Sequence, residues 1–450
     1  MFNMNCIFPP ANPALSGAAG VAWQRARVPM ALATATMRAA TAAMRGARRF
    51  SSTTRDYDIV LFGATGFAGR LAAEYALRAH PSKRIAFAGR DAAKLEALKA
   101  SLDSDADVIV ADAADAADVA RVAAAAAVVA STAGPYAKFG SPLFGACAAG
   151  GTHYCDITGE AQWIALMAHE HDGAARASGA TLVPAAGFDS VPSDLGCQLA
   201  VQRHVDVHGA APARVDNYVT KMRGAFQGGT IDTVVNEITN PTPRPPTPSL
   251  EGIPKTKIDW AKGRPFGTVA LGGTTRHSSP FIMAGANCPV VRRSNAALNY
   301  ADGLIYSESM ALPSLKAAVT NAAALGVGGA LLRFAPTRNL LRSRGMLPES
   351  GAGPSRAKML RGSYAMSFVT TGANGETTVT RWNGAGDPSC ISTTVFLVET
   401  AVALAEGAAA APGVLTPASA LGAPLLARLR GATWGEGGDA PVITVDHGDA

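Results

Sequence analysis

The chain has 450 residues, 48% hydrophobic and 16% charged, which excludes disorder throughout and leaves room for two or three domains. The net charge of +6 invites a nucleic-acid reading, but six of the 40 Lys+Arg lie in residues 1–50 and the remainder equals the 34 Asp+Glu, so nucleic acid is not expected as a partner. The six cysteines, at 6, 147, 155, 197, 288 and 390, form no CxxC pair and argue against a zinc finger, a thioredoxin-type site and a disulfide scaffold.

Residues 1–55 contain no Asp or Glu, and Arg25, Arg27, Arg38, Arg45, Arg48 and Arg49 stand among Ala, Met and Thr. Between Met30 and Phe50 the arginines gather mainly on one side of a possible helix. That is the composition of an organelle transit peptide, and Arg48-Arg49-Phe50-Ser51 is similar to a mitochondrial processing site. The expected address is the mitochondrion, with a plastid as the rival and a disordered basic tail as the plain alternative.

From Tyr57 short apolar runs alternate with amphipathic stretches. Strands are predicted at 57–62, 84–88, 107–110, 128–131, 153–156 and 181–183, with helices at 66–79, 94–102, 116–124, 142–149 and 161–177. Short strands separated by helix-length segments mean βαβ units. The predicted fold class is α/β, a Rossmann-type doubly wound parallel sheet over 56–195 with a second α+β domain over 196–390 for substrate or dimerisation. Six prolines make 240–254 a loop or lid, 364–371 and 377–382 alternate like a hairpin, and 392–404 reads as a buried helix. Residues 391–450 are expected to return to the first domain. Ala317–Leu332 is a run of 16 uncharged residues, short of the about 20 needed to span a bilayer. It is predicted as a buried helix, with an interfacial membrane segment or a wall for a greasy substrate as the alternative.

The chemistry is carried by Gly63-Ala64-Thr65-Gly66-Phe67-Ala68-Gly69, directly after the strand Asp58–Phe62. Glycines permit a tight turn and close backbone approach to a pyrophosphate, and the following helix aims its N–H groups at the phosphates. After the second strand an NAD enzyme usually places an acid; this chain has Gly89-Arg90, with Lys94 a turn further on. Arg90 and Lys94 suit a 2′-phosphate, while Asp91 is better placed as a helix cap, so NADP(H) is expected over NAD(H). The fourth strand leads to Thr132-Ala133-Gly134-Pro135-Tyr136, whose small residues border the cofactor crevice.

Tyr136 is a candidate proton donor, or a packing residue. Asp156 and Glu160 are candidates for ribose hydroxyls or, for Asp156, catalysis or a helix cap. Asp189 is a catalytic candidate, and it and Asp194 equally suit a hinge or cap. His153 reads as a core histidine. His169-Glu170-His171 lacks the HExxH zinc spacing, and no GxSxG elbow supports a serine hydrolase.

These runs, with 151–160 (GTHYCDITGE), 175–196 (ARASGATLVPAAGFDSVPSDLG), 227–230 (QGGT) and 414–422 (VLTPASALG), resemble the saccharopine dehydrogenase-like oxidoreductase family, which includes trans-acting enoyl reductases of bacterial lipid synthesis. The resemblance is close over 57–200 and scattered to about 430; relatives place Gly-Tyr where this chain has Ser389-Cys390. It implies a Rossmann domain for a nicotinamide cofactor with a second domain covering it. Two substrate classes follow from it: a conjugated acyl chain, or an amino acid whose carboxylates Arg214, Arg223, Arg276, Arg292 and Arg293 are available to hold. A non-catalytic nucleotide-binding protein at a membrane or lipid droplet is the third reading. Expected partners are a small-molecule or acyl-lipid substrate, peripheral membrane contact through 317–332, and a second copy in a homodimer.

Overall fold

A computed structural model describes residues 55–243, 266–434 and 441–448. The basic segment 1–54 and most of the proline-rich stretch lie outside the described residues.

The first sheet is wholly parallel. Its strands are β1 (Tyr57–Phe62), β2 (Ile85–Gly89), β3 (Asp107–Val110), β4 (Ala126–Ser131), β5 (His153–Asp156) and β6 (Thr181–Val183). Helices α1 (Phe67–Ala79), α2 (Ala92–Ser101), α3 (Ala116–Ala125), the short α4 (Tyr136–Phe139), α5 (Ser141–Gly150) and α6 (Ala161–Ser178) make the crossovers. β2 is buried along its whole length, as a strand covered on both faces must be. β1 lies between β2 and β4, so the chain leaves it in one direction and returns on the other side; this switch point opens a crevice at the strands' carboxyl ends.

Helix α7 (Val191–His208) runs without interruption through position 195 and joins the two layers. Beyond it come β7 (Arg214–Arg223), α8 (Gly228–Thr239), β8 (Thr268–Leu271), β9 (Thr274–Pro280), α9 (Ala284–Leu298) and β10 (Ile305–Leu312). Then follow α10 (Leu315–Arg333), α11 (Ala335–Ser343), α12 (Arg356–Leu360) and the hairpin β11 (Ser363–Thr371) and β12 (Thr377–Ala385). These strands make a mixed sheet in the order β14-β12-β11-β7-β10-β9-β8, closed at one edge by β14 (Ile443–Gly448).

The chain's C-terminal region serves both sheets. A π-turn, Pro388–Ser392, leads into α13 (Thr393–Ala405), which is buried from Thr393 to Leu404 and packs on β4, β5 and α1. β13 (Gly413–Val414) extends the parallel sheet beside β6, while α14 (Pro417–Ala420) and α15 (Gly422–Gly431) pack against α7. β14, in contrast, belongs to the second sheet. At the α13 seam the buried Glu399 accepts from the Tyr75 hydroxyl at 2.8 Å and from Arg428 at 3.1 Å, and meets His80 Nε2 at 2.7 Å.

The buried-helix reading of 317–332 is overturned. In α10 only Ala318 is buried, and Val319 and Val327 are 49% and 60% exposed. Its composition is that of a core helix, yet no described element covers its outer face. Ser314 caps it by accepting from the Ala317 N–H.

Candidate functional site

The loop between β1 and α1 is shaped by close backbone contacts. Gly63 has φ +83°, and a Cβ there would sit 3.0 Å from both Ala133 N and Thr132 Oγ1. A Cβ on Gly69 would lie 2.2 Å from the Gly63 carbonyl oxygen, so helix and turn can pack only without one. Thr132 secures the turn from the neighbouring strand, its hydroxyl donating to the Phe62 and Gly63 carbonyls at 3.2 and 3.1 Å. Gly66 is the N-cap of α1, no side chain caps the helix and no acid stands in its first turn. The first-turn N–H groups therefore lack side-chain acceptors where Gly66, Phe67 and Ala68 line a cavity of about 720 Å³. An uncapped helix start fronted by small residues fits the diphosphate of a dinucleotide.

Gly63, Thr65, Gly66, Phe67, Gly89, Arg90, Thr132, Gly134, Tyr136 and Asp189 all line this cavity. Ala64 and Gly69 stand behind the turn as packing residues, and Pro135 starts α4 without reaching the lining. Lys94 departs from its expected place: its ammonium lies 3.3 Å from Asp91, away from the lining. Asp91 is the N-cap of α2, accepting from the Lys94 N–H at 3.0 Å, and these bonds lower its carboxyl pKa.

Two acids change role. Glu160 is buried, and its carboxylate accepts the N–H groups of Tyr136 and Ala137 at 2.6 and 2.8 Å. It supplies the start of α4 with acceptors and is absent from the cavity wall, so it is not a ribose ligand. Asp156 is fully buried and takes the N–H groups of Thr158 and Ala185 at 3.0 Å each, with the Tyr154 hydroxyl at 2.9 Å. Burial raises its pKa to about 7, but it ties the β5 and β6 loops together and does not line this cavity.

Tyr136 turns its ring, not its proton, to the site. Its hydroxyl donates to the Ser131 carbonyl at 2.9 Å and accepts from Ile157 N–H at 3.4 Å, and burial raises its pKa well above the usual value. A proton committed to a backbone carbonyl does not suit a donor, so Tyr136 packs the wall against Trp163. His153 lies elsewhere, its Nδ1 accepting the Thr181 N–H at 3.0 Å. Asp194 accepts the Ala418 N–H at 2.8 Å in the junction, outside the cavity.

Asp189 is one of four acids that line the cavity, with Asp112, Asp232 and Glu237, and among the acids singled out from the sequence it alone reaches the lining. It follows β6 between Phe188, whose N–H donates to Thr393 Oγ1, and Ser190. A Cβ on Gly187 would lie 3.1 Å from its carboxylate, and one on Gly159 would lie 3.4 Å away. Desolvation raises its pKa to about 7.

The opposite wall was not visible in the sequence. It brings together Met222 at the end of β7 and Phe226 just after it, Thr230, Thr233, Val234 and Ile238 on α8, Ile282 and Met283 before α9, Ser350 with Gly351, and Ser389 with Thr393. Buried Asp387 binds these segments, accepting from the N–H groups of Ala225 at 2.7 Å and Ser389 at 2.9 Å. The Ser389 hydroxyl donates to the Ala225 carbonyl at 2.6 Å, which gives the departure at Ser389-Cys390 a local role. Only QGGT signalled part of this wall in advance. Ala111, Asp112 and Ala113 after β3 were also missed; the rule that binding groups gather at strand carboxyl ends pointed there.

A glycine turn at the first βα crossover of a parallel sheet, opening on a crevice that a second sheet domain closes, defines a dinucleotide-dependent oxidoreductase. Comparison with known proteins agrees. The saccharopine dehydrogenase NADP binding domain matches residues 59–183. A Mycobacterium tuberculosis protein named as a trans-acting enoyl reductase is 37% identical over 408 residues, 84% of this chain and 96% of its own. The trans-acting enoyl reductase of Mycobacterium ulcerans is 35% identical over 413 residues, 84% of this chain and 97% of its own. Among solved structures, apo saccharopine dehydrogenase (L-Glu forming) from Saccharomyces cerevisiae shares the fold, with TM-score 0.52 at 13% identity over 87% of this chain and 99% of that one. The chain belongs to the saccharopine dehydrogenase-like oxidoreductases, in the group of the trans-acting enoyl reductases. It is an NAD(P)-dependent enzyme whose first domain is of the NADP-binding type.

Proposed function

We propose that the enzyme uses NADPH to reduce a polarised C=C or C=O bond in an apolar, acyl-type substrate. The observation that carries this reading is the charge of the cavity wall. Among the described lining residues Arg90 is the sole cation, and it stands at the end of β2 on the cofactor side. The substrate side presents Met222, Phe226, Val234, Ile238, Ile282 and Met283, with the acids Asp232 and Glu237 among them and no cation. An amino-acid substrate with several carboxylates needs cations there. The arginines named for that task are engaged elsewhere or stand off the cavity: Arg214 pairs with Asp216 at 2.6 Å, Arg276 donates to the Ala311 carbonyl and Arg293 to the Val414 carbonyl, and neither Arg223 nor Arg292 lines the cavity.

In this reading Arg90 binds the 2′-phosphate, the α1 N-terminus binds the diphosphate, and the nicotinamide supplies a hydride. Asp189, half-protonated near neutral pH, gives its proton to the anion that forms on the substrate. Tyr136 and Phe188 exclude water beside it. Residues 1–55 serve as a mitochondrial address, checked by whether a 1–55 fusion carries a fluorescent protein to mitochondria and a 56–450 form does not.

The decisive measurement is NADPH oxidation by purified protein with enoyl thioesters, quinones, and 2-oxo acids plus lysine offered in parallel. Turnover of enoyl thioesters or quinones is expected. Turnover confined to 2-oxo acids with lysine overturns the substrate class. Tight NADPH binding with no turnover on any class supports instead the non-catalytic reading.

A further inference from the structure

Two segments of the described chain match each other in apolar length but not in environment. Pro388–Ala405 is 89% buried, as befits a helix in the core. For Leu315–Arg333 the figure is 6%. Leu315, Val319, Ala323, Val327 and Leu331 recur every four residues, all exposed, and form a stripe winding along α10. The stripe continues into Phe334 and Leu340, 59% and 55% exposed, and ends at Met346. An apolar surface of this extent on a folded domain marks an interaction site.

The inner side of the same helix is tied down. Ser279 Oγ donates to the Ala318 carbonyl at 2.7 Å, and Asn321 Nδ2 donates to Ser279 Oγ at 3.0 Å and to the Pro280 carbonyl at 2.9 Å. The corner between α10 and α11 is closed by Arg338, which donates to the Leu332 and Arg333 carbonyls at 2.8 and 3.0 Å. Anchoring on β9 holds α10 along the body of the protein, so the helix can lie in an interface but not cross a bilayer.

Charge names the occupant. Between Glu308 and Glu349 there is no acid, while Lys316, Arg333, Arg338, Arg342 and Arg344 are all basic. Lys316, Arg333 and Arg344 are exposed beside the stripe. A second copy of this chain would meet like charge with like. Exposed Leu, Val and Phe flanked by Lys and Arg, with no acid, are what an anionic lipid surface attracts.

We propose that α10 and α11 form a platform that lies on an anionic phospholipid membrane with the cavity mouth beside it. The platform connects to the site directly. Asn321 holds Pro280, two residues before the cavity-lining Ile282, which is itself 43% exposed. Arg342 of α11 donates to Asp232 at 2.8 Å, and Asp232 lines the cavity from α8 and also accepts from the Ser350 hydroxyl. Arg70 of α1 in turn donates to the Gly351 carbonyl at 3.3 Å. Delivery of an acyl substrate from the docked face rests on the reading of function above; the docking itself does not.

The test is co-sedimentation of the purified chain with vesicles of phosphatidylcholine alone or with about one third phosphatidylserine, at low and high salt. Binding to the anionic vesicles is expected, weakened by salt and nearly absent from the neutral ones. Val327→Asp with Leu331→Asp should weaken it by about 30-fold or more through loss of apolar burial. Lys316→Glu with Arg333→Glu and Arg344→Glu should weaken it on the order of a hundredfold. NADPH binding, followed by fluorescence quenching, should stay at the wild-type level in both variants and so report an intact fold. Binding indifferent to both variants overturns the proposal, as does absence of binding to anionic vesicles. A dimer in light scattering that the Asp pair dissociates, without vesicle binding, assigns the face to a second copy instead. No readout here depends on turnover, so failure of the acyl-substrate reading leaves the docking result intact.

Discussion

The wall of the cavity on the side of the glycine turn is built around backbone: Gly63, Gly66, Gly89, Gly134 and the N–H groups that open α1. The facing wall is mostly side chain, assembled from five stretches between Met222 and Thr393. Backbone walls tolerate no added atom but recognise any diphosphate; side-chain walls tolerate exchange and set which substrate fits. The same cavity therefore separates a fixed half, shared by a fold, from an adjustable half that distinguishes one enzyme from another.

The largest effect on cofactor binding and stability is expected at the fixed wall. Gly69→Ala places a Cβ 2.2 Å from the Gly63 carbonyl, which only a backbone shift relieves. NADPH affinity should fall by more than about a hundredfold, and stability by roughly 1–3 kcal/mol. Gly66→Ala meets the same oxygen at 3.3 Å and should keep the fold, with a smaller loss of affinity. Denaturant titration and fluorescence quenching on both variants decide it. Equal behaviour of the two removes the argument that close approach shapes this wall.

Next comes the junction of the walls. Asp189→Asn keeps the shape and removes the proton, so kcat should drop about 10²–10⁴-fold while NADPH affinity stays within roughly threefold. The sign of the pH effect follows from the raised pKa: a donor must be protonated, so kcat falls as pH rises through about 7 in the wild type. That limb should vanish in the variant. An unchanged pH profile would assign the proton to another group.

The two walls also differ in how far they could be read from sequence. A strand of apolar residues followed by glycines at fixed spacing implies its own geometry, because turn and helix start are local. The six strands of β1–β6 and the hairpin were legible for the same reason. What local pattern does not carry is the direction of a side chain once the chain has folded. Asp156, Glu160 and Asp189 are all acids at or just after strand ends, yet only Asp189 faces the cavity; the others are consumed by backbone N–H groups that their neighbours leave unpaired. Tyr136 likewise sits where a donor belongs but spends its proton on Ser131. α10 failed in the opposite sense: its composition is that of a core helix, and only tertiary placement shows that nothing described covers it.

A more moderate effect is expected at the rim of the fixed wall. Arg90 is exposed and lines the cavity after β2, so Arg90→Ala should raise the NADPH dissociation constant by roughly 10–100-fold, the range for a hydrogen-bonded charge, and leave NADH nearly unchanged. Equal losses for both cofactors would assign Arg90 to shape and not to the 2′-phosphate. Lys94→Ala serves as the contrast, because its ammonium is held at Asp91 and should change neither.

The smallest effect belongs to the adjustable wall and tests it most sharply. Phe226 lines the cavity and is 49% exposed, so its ring covers a substrate only in part. Phe226→Ala should leave NADPH affinity untouched and lower kcat/KM by about fivefold for a long-chain enoyl thioester, in proportion to the half ring of apolar surface that no longer shields the chain from water. A short-chain thioester that does not reach Phe226 should be turned over as before. The dependence on chain length is what matters, since a general loss across lengths would mean that the ring supports α8 and the fixed wall behind it. A loss confined to long chains would place the acyl tail along Met222, Phe226 and Ile282.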